Sequence, residues 1–318
     1  LMNGARLSDK LGNARVSAET ELDFYGGSAD DYGAVLGQLR LRTASVRLDW
    51  ERTSFVAGLR EPLVSPRNPS SLAAVYYPAL AEAGNLWQWR PQIYLEHRWR
   101  AGESSEIAMQ GGMLLPFGET VEGLPNEKAP AWEARLAYSR NLANEKQFVW
   151  GFGGYVGQRE FQYNRRVNSY ALTTDWLVPL GNKFEFSGEA FFGRAVSLSE
   201  QSGARIDRHF AMNGSLLWAT TQIRGVHELG GWAQLTYRPR EDFDFNLAWG
   251  REDPRNRDLR DGLKNAATRF SNETLMANFI YQLRSNVLLS LEYRRLWTDY
   301  SARRQVNGHY NLAVAYVF

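Results

Sequence analysis

Residues 309–318 read HYNLAVAYVF. Tyr310, Leu312, Val314, Tyr316 and Phe318 share one phase of a two-residue alternation. His309, Asn311, Ala313, Ala315 and Val317 share the other. One phase is wholly apolar or aromatic and the other polar or small, the mark of a β-strand with a single greasy side. The fold depends on whether that side meets a protein core or a lipid bilayer.

The pattern recurs along the chain. In KFEFSGEAFFG (183–193), Phe184, Phe186, Ala190 and Phe192 oppose Glu185, Ser187 and Glu189. In DFDFNLAWG (242–250), Phe243, Phe245, Leu247 and Trp249 oppose Asp244, Asn246 and Ala248. AWEARLAYS (131–139), NVLLSLEYRRLW (286–297), PQIYLEHRW (91–99) and LGQLRLRT (36–43) alternate likewise. Tilted strands of roughly 9–11 residues cross a bilayer. The connections alternate too. Short ones fall at 100–104, 141–146, 180–183, 238–242 and 283–286, and long ones at about 61–88, 116–130, 198–225, 252–268 and 299–306. Outer-membrane barrels segregate short turns and long loops to opposite ends in this way.

Composition narrows the function. Among the 318 residues there is no cysteine, so disulfides and thiolate metal sites are excluded. A net charge of +2 does not favour nucleic acid, and no apolar run is long enough for a transmembrane helix. Of the 37 basic residues, 32 are Arg. Trp and Tyr recur near strand ends, including Trp50, Trp99, Trp132, Tyr138, Trp176, Tyr237, Trp249, Tyr281 and Trp297, as in an interfacial girdle. The expected fold is an all-β transmembrane antiparallel barrel in a bacterial outer membrane. Fourteen strands run from Ala14 to Phe318, and residues 3–11 add a fifteenth. Single-chain bacterial barrels have even numbers of strands, so an intact barrel of 16 is expected, its first strand upstream of Leu1. The ending Tyr316-x-Phe318 resembles the signature of barrels inserted by the outer-membrane assembly machinery and puts Phe318 against lipid.

An Arg facing lipid at the midplane costs roughly 2–4 kcal/mol. Arg40, Arg42, Arg60, Arg98, Arg135 and Arg294 oppose the greasy phase and are expected to face inward, with Glu96, Glu133 and Glu292 in the same phase. Arg194 and Arg295 fall on the lipid phase, which implies an interface, a subunit contact or a bulge. The stretch 60–87, REPLVSPRNPSSLAAVYYPALAEAGNLW, carries Arg67, four prolines and much apolar surface. It is expected to fold into the lumen as a constriction at about 61–88, with a short helix starting near NPSSLAAV under an Asn68 or Ser70 cap. The bland alternatives are a rim-packed loop and Arg–Glu pairs that merely stiffen the wall.

Other motifs carry less. The aspartates of 251–262 are interleaved with arginines, which favours self-pairing over calcium, and no metal site is expected. GFGGYVG (151–157) lacks the third glycine of a dinucleotide fingerprint, and its glycines suit close backbone packing. The four histidines are scattered and no HExxH or GxSxG occurs, so neither an enzyme nor a cofactor is expected.

The segments 19–28 (ETELDFYGGS), 37–50 (GQLRLRTASVRLDW), 230–254 and 278–294 resemble the DcaP-like porins of Gram-negative bacteria, and the resemblance covers most of the chain. It implies a sixteen-stranded homotrimer that passes small anionic solutes such as dicarboxylates, with an additional first strand and, in some members, an N-terminal coiled coil. The stretch AGLREPLVSP (57–66) departs from the family's pattern. The expected function is passive diffusion through an Arg-lined lumen. Expected partners are the bilayer with its lipopolysaccharide, copies of the same chain, and the solute. A loop-plugged scaffold barrel, or a sheath around an electron-transfer protein, are the alternatives.

Overall fold

A computed structural model of the chain describes residues 2–3, 9–11, 13–24, 39–75, 77–116, 129–143, 145–196, 210–214, 218–260 and 269–317. Phe318, Asp261 and most of the 116–130 connection lie outside them. The strands are β1 (Met2–Asn3), β2 (Asp9–Leu11), β3 (Ala14–Asp23), β4 (Arg40–Asp49), β5 (Thr53–Arg60), β6 (Arg90–Arg100), β7 (Ser105–Leu114), β8 (Ala131–Asn141) and β9 (Gln147–Phe161). They continue with β10 (Arg165–Leu180), β11 (Phe184–Arg194), β12 (Phe210–Met212), β13 (Ile223–Gly225), β14 (His227–Arg240), β15 (Phe243–Pro254), β16 (Arg269–Arg284), β17 (Val287–Tyr300) and β18 (Arg304–Tyr316).

Sixteen of these form one antiparallel sheet in sequence order. Because β1 and β2 both pair with β3, at Leu22/Glu21 and at Val16–Ala14, the sheet has fifteen positions, sixteen less one. That matches the fifteen strands counted in the sequence. Among the described residues no ladder joins β18 to β1 or β2, so the sheet keeps two free edges.

The connections segregate by end, with two corrections. Between β17 and β18 only 301–303 intervene, because both strands continue through the positions expected as a long loop. The 198–225 and 252–268 connections are also structured. The first contains the β12–β13 hairpin, and a short helix, Asn256–Arg260, follows β15.

Burial is inverted relative to a water-soluble sheet. Leu312 is 79 % exposed, and Leu95, Leu136, Phe152, Leu172, Leu229 and Leu247 are exposed on the same outer face. The opposite phase holds buried Gln92, Glu96, Glu133, Asp175, Glu189, Gln234, Asn246, Asn278 and Glu292. An apolar belt outside and a polar layer inside is the arrangement a bilayer selects, since exposed leucine gains only where the solvent is hydrocarbon. Aromatic rings chain along the short-turn end, from Trp150 through Trp176 to Phe186 and from Phe184 through Tyr237 to Phe245, with neighbouring centroids 4.7–6.4 Å apart. Rings with an apolar body and a polar tip suit the membrane–water boundary.

Candidate pore lining and lumen loop

The site starts from a local irregularity. Along β3 and β4, Glu21 pairs with Thr43 and Leu22 with Leu41, so the ladder skips Arg42. One extra residue in a strand reverses the side-chain phase beyond it. Leu41 and Val46 are therefore both on the outer face, and Ser45 and Arg47 turn inward. Arg47 is the lining residue that period-two reading misses.

Each expected arginine meets a polar partner. Arg40 donates through Nε to Asp23 at 3.0 Å. Arg42 pairs with Glu21 at 3.0 Å, donates to the Val75 carbonyl at 2.8 Å, and lies 4.6 Å from the Trp89 ring centre. Arg60 donates to Ser45 Oγ at 2.9 Å and is 3.8 Å from Glu19. Arg98 donates to Ser54 Oγ at 3.2 Å and is 3.6 Å from Glu96. Arg135 forks onto Asp175 with two bonds of 2.8 Å, and Arg67 reaches the same carboxylate at 3.1 Å. Arg294 donates to Glu292 at 2.6 Å and to Ser71 Oγ at 3.2 Å. Arg47 is held by Asp49 at 2.7 Å, Ser54 at 2.7 Å and Glu96 at 3.0 Å. Of the two readings the sequence left open, these contacts form a layer of Arg–carboxylate pairs.

The segment 61–89 lies against the inner face and touches it from β4 to β17. Its backbone binds the wall's acids and amides. Leu63 N–H donates to Glu133 at 2.9 Å, Arg67 N–H to Glu189 at 2.6 Å, and Ser70 N–H to Gln234 at 2.8 Å. Ser65 Oγ donates to Glu189 at 2.7 Å and Ser71 Oγ donates to Glu292. Asn278 Nδ2 donates to the Ser70 carbonyl at 2.8 Å, and Arg269 pairs with Glu82 at 2.7 Å. Residues 68–75 are non-helical, so the helix expected there is absent.

Apolar contacts complete the seat. Val64 and Leu86 pack with Leu114, Tyr155, Ala171 and Phe191. Ala79 and Leu80 pack with Trp232, Ala248 and Met276. The loop backbone approaches β14 closely at Gly84, where φ is +97° and a Cβ would sit 2.0 Å from the Gly231 carbonyl oxygen. A Cβ on Gly153 would fall 2.4 Å from Thr173 Oγ1 and 3.1 Å from Val64. That glycine of GFGGYVG therefore makes room for the loop inside the sheet.

Four further charged residues lie toward the long-loop ends of β11, β15 and β17. Arg194 donates to the Gly225 carbonyl at 3.4 Å, and Arg295 lies 5.5 Å from the Trp297 ring centre. Asp253 pairs with Arg251 at 3.3 Å. Asp258 accepts from the backbone N–H of His227 at 3.0 Å and contacts its ring Nδ1 at 2.7 Å. Burial pushes the Asp258 carboxyl up, but the His227 hydrogen bonds outweigh this and hold it below the ordinary aspartate range. Tyr316 is exposed on the outer face. Asp175 and Glu189 are lining acids that the alternation of β10 and β11 could have supplied, since both share a polar phase with their neighbours.

No protein-family model matches the chain, and no curated protein does. Solved structures do. The anion-selective porin from Comamonas acidovorans superposes with a TM-score of 0.56 at 9 % identity, covering 97 % of this chain and 85 % of that one. OmpTdeltaL8, a loop-deletion mutant of an outer membrane protein of Vibrio cholerae, gives 0.53 at 10 % identity, covering 98 % and 88 %. In-vitro folded OmpT of Vibrio cholerae in its trimer form gives 0.51 at 7 % identity, covering 98 % and 95 %. At these identities the likeness is one of fold: the chain has the all-β antiparallel architecture of outer-membrane barrels.

Proposed function

We propose that the chain is a passive channel of the bacterial outer membrane that admits small hydrophilic solutes and prefers anions, dicarboxylates among them. The observation that carries this reading is the division of labour inside the sheet. Acids of β8, β11 and β17 (Glu133, Glu189, Glu292) are occupied in holding 61–89. The β3–β6 wall presents Arg15, Arg40, Arg42, Arg47, Arg60 and Arg98, six guanidiniums against the five carboxylates of Glu19, Glu21, Asp23, Asp49 and Glu96, and 61–89 acts as the constriction over it. Guanidiniums facing a low-dielectric-walled pore concentrate anions there. A liposome-swelling assay tests the reading: faster swelling in succinate than in a neutral solute of similar size supports it, and the reverse order refutes the anion preference.

A homotrimer is the assembly we favour. Gly111, Ala134 and Gly154 are paired across β7–β9 on the outer face and leave a shallow groove there flanked by Trp132, Val156 and Leu172, and one structure of the same fold is a trimer form. A monomeric mass in mild detergent would contradict it. A second reading, a barrel plugged by its own loop, is favoured by the apolar seating of Val64, Leu80 and Leu86. Complete absence of swelling with folded protein would select it.

A further inference from the structure

Arg295 points away from the lumen. The β16–β17 ladder runs unbroken from Ser271/Asp299 to Gln282/Leu288, with Arg295 opposite Leu275. No bulge turns it inward, and its side chain is exposed on the face that carries Leu291 and Leu312. Depth explains how this is tolerated. Arg295 stands eight residues beyond Val287, the first residue of β17. At about 3.3 Å per residue and a tilt of about 40°, it lies roughly 20 Å above the short-turn end of a belt roughly 25 Å tall. Its guanidinium therefore reaches the hydrocarbon boundary on the long-loop side, where lipid headgroups begin.

No counter-charge meets it there. Among the described residues Arg295 makes no ion pair, and its guanidinium lies 5.5 Å from the Trp297 ring centre. The carboxylates of the same phase on β15, β16 and β17 are engaged elsewhere. Asp253 pairs with Arg251. Glu273 accepts from Trp249 Nε1 at 2.8 Å and stands 3.8 Å from Arg304. Asp299 accepts from Ser271 Oγ at 2.8 Å and stands 3.6 Å from the same arginine. Across the ladder from Arg295 is Gly308, where a Cβ would come within 3.2 Å of the Tyr293 hydroxyl. The glycine keeps the surface open beside a guanidinium and a phenol. From Tyr293 toward the short turns runs an apolar groove of about 440 Å³. Ala277 lies between Leu247 and Tyr293 along it, with Leu235, Phe279 and Leu291 beside them.

We infer that this groove and Arg295 together form a site for a lipid of the outer leaflet that carries a phosphate monoester. One acyl chain lies in the groove against Ala277. The phosphate takes the guanidinium fork, with the Tyr293 hydroxyl beside it. Planar forked donors match a phosphate, and the pairing gains strength at the edge of hydrocarbon. The headgroup thus brings the negative charge that the outer face lacks at Arg295. The site needs the barrel in its membrane and is independent of conduction.

The test is native mass spectrometry of the folded, detergent-solubilised full chain titrated with dimyristoyl phosphatidic acid. Dimyristoylglycerol supplies the same chains without phosphate, and glycerol 3-phosphate supplies the headgroup without chains. Phosphatidic acid binds more tightly than either. Arg295→Gln weakens it about tenfold, the scale of one lost charge-assisted hydrogen bond, and brings it level with the diacylglycerol. Ala277→Trp fills the groove and weakens both lipids. Arg194→Gln, an outward arginine on β11 away from the groove, leaves binding unchanged. Heat-modifiable gel migration verifies folding of each variant, and Arg295→Lys is the fallback if Arg295→Gln fails it. Equal affinity for the two lipids in the native chain, an unchanged Arg295→Gln, or an equal loss in Arg194→Gln overturns the site. Glycerol 3-phosphate binding as tightly as the lipid would also overturn it. So would an oligomer that Arg295→Gln converts to monomers, since this face would then be a contact between copies.

Discussion

Asp175 is the lining residue on which most depends. Its side chain is 4 % exposed and takes two bonds from Arg135 and one from Arg67, so it ties the wall to the loop. Removing it strands two guanidiniums where water is scarce. Breaking a buried pair from one side costs roughly 3 kcal/mol or more. Asp175→Ala is therefore expected to unfold at clearly lower urea concentration in a detergent-lipid assay. An unchanged midpoint would mean that water screens the pair. At the rim, Asp258 carries a pH signature. Because its folded carboxyl titrates below the ordinary value near 3.8, its contribution is complete above that value and is lost as pH falls through the depressed one. Proteolysis of the 256–260 segment should be flat from pH 7 to about 5 and should accelerate only in stronger acid. Asp258→Asn should remove that acid step while raising cleavage at neutral pH.

At the scale of the element, the strand phases were legible because each strand has one lipid face and one lumen face, and lipid tolerates few errors. Leu95, Leu136, Phe245 and Leu247 stand where alternation puts them. The β4 bulge was not legible. Counting in twos from Arg40 and Arg42 puts Arg47 outward, and nothing in RLRTASVRLDW (40–50) marks Arg42 as the skipped position. Nor does sequence reveal that Glu189 and Gln234 would bind Ser65, Arg67 and Ser70 and lay 61–89 along the wall, since those contacts join residues more than a hundred positions apart. Cysteine substitution checks the register. Arg47→Cys should react with a charged, water-soluble maleimide. Val46→Cys should resist it while a fluorophore attached there is quenched by nitroxide lipids. Exchanged reactivities would place the bulge elsewhere.

At the scale of the whole molecule, burial is inverted and residues 61–89 lie across the inner face of the sheet. Burying Glu292 completely while exposing most of Leu312 makes sense only with hydrocarbon outside and a polar interior within. The loop's ends are adjacent, because Arg60 and Arg90 are partners across β5 and β6. A short turn can therefore replace 62–88 without moving either strand. The decisive measurement is single-channel current in a planar bilayer under a salt gradient, for the native chain and for this loop-shortened form. Discrete openings with an anion-biased reversal potential are expected, and a larger conductance once the loop is shortened. A silent native chain that conducts only after shortening would establish a plug, and a cation-biased potential would contradict the role given to the arginines.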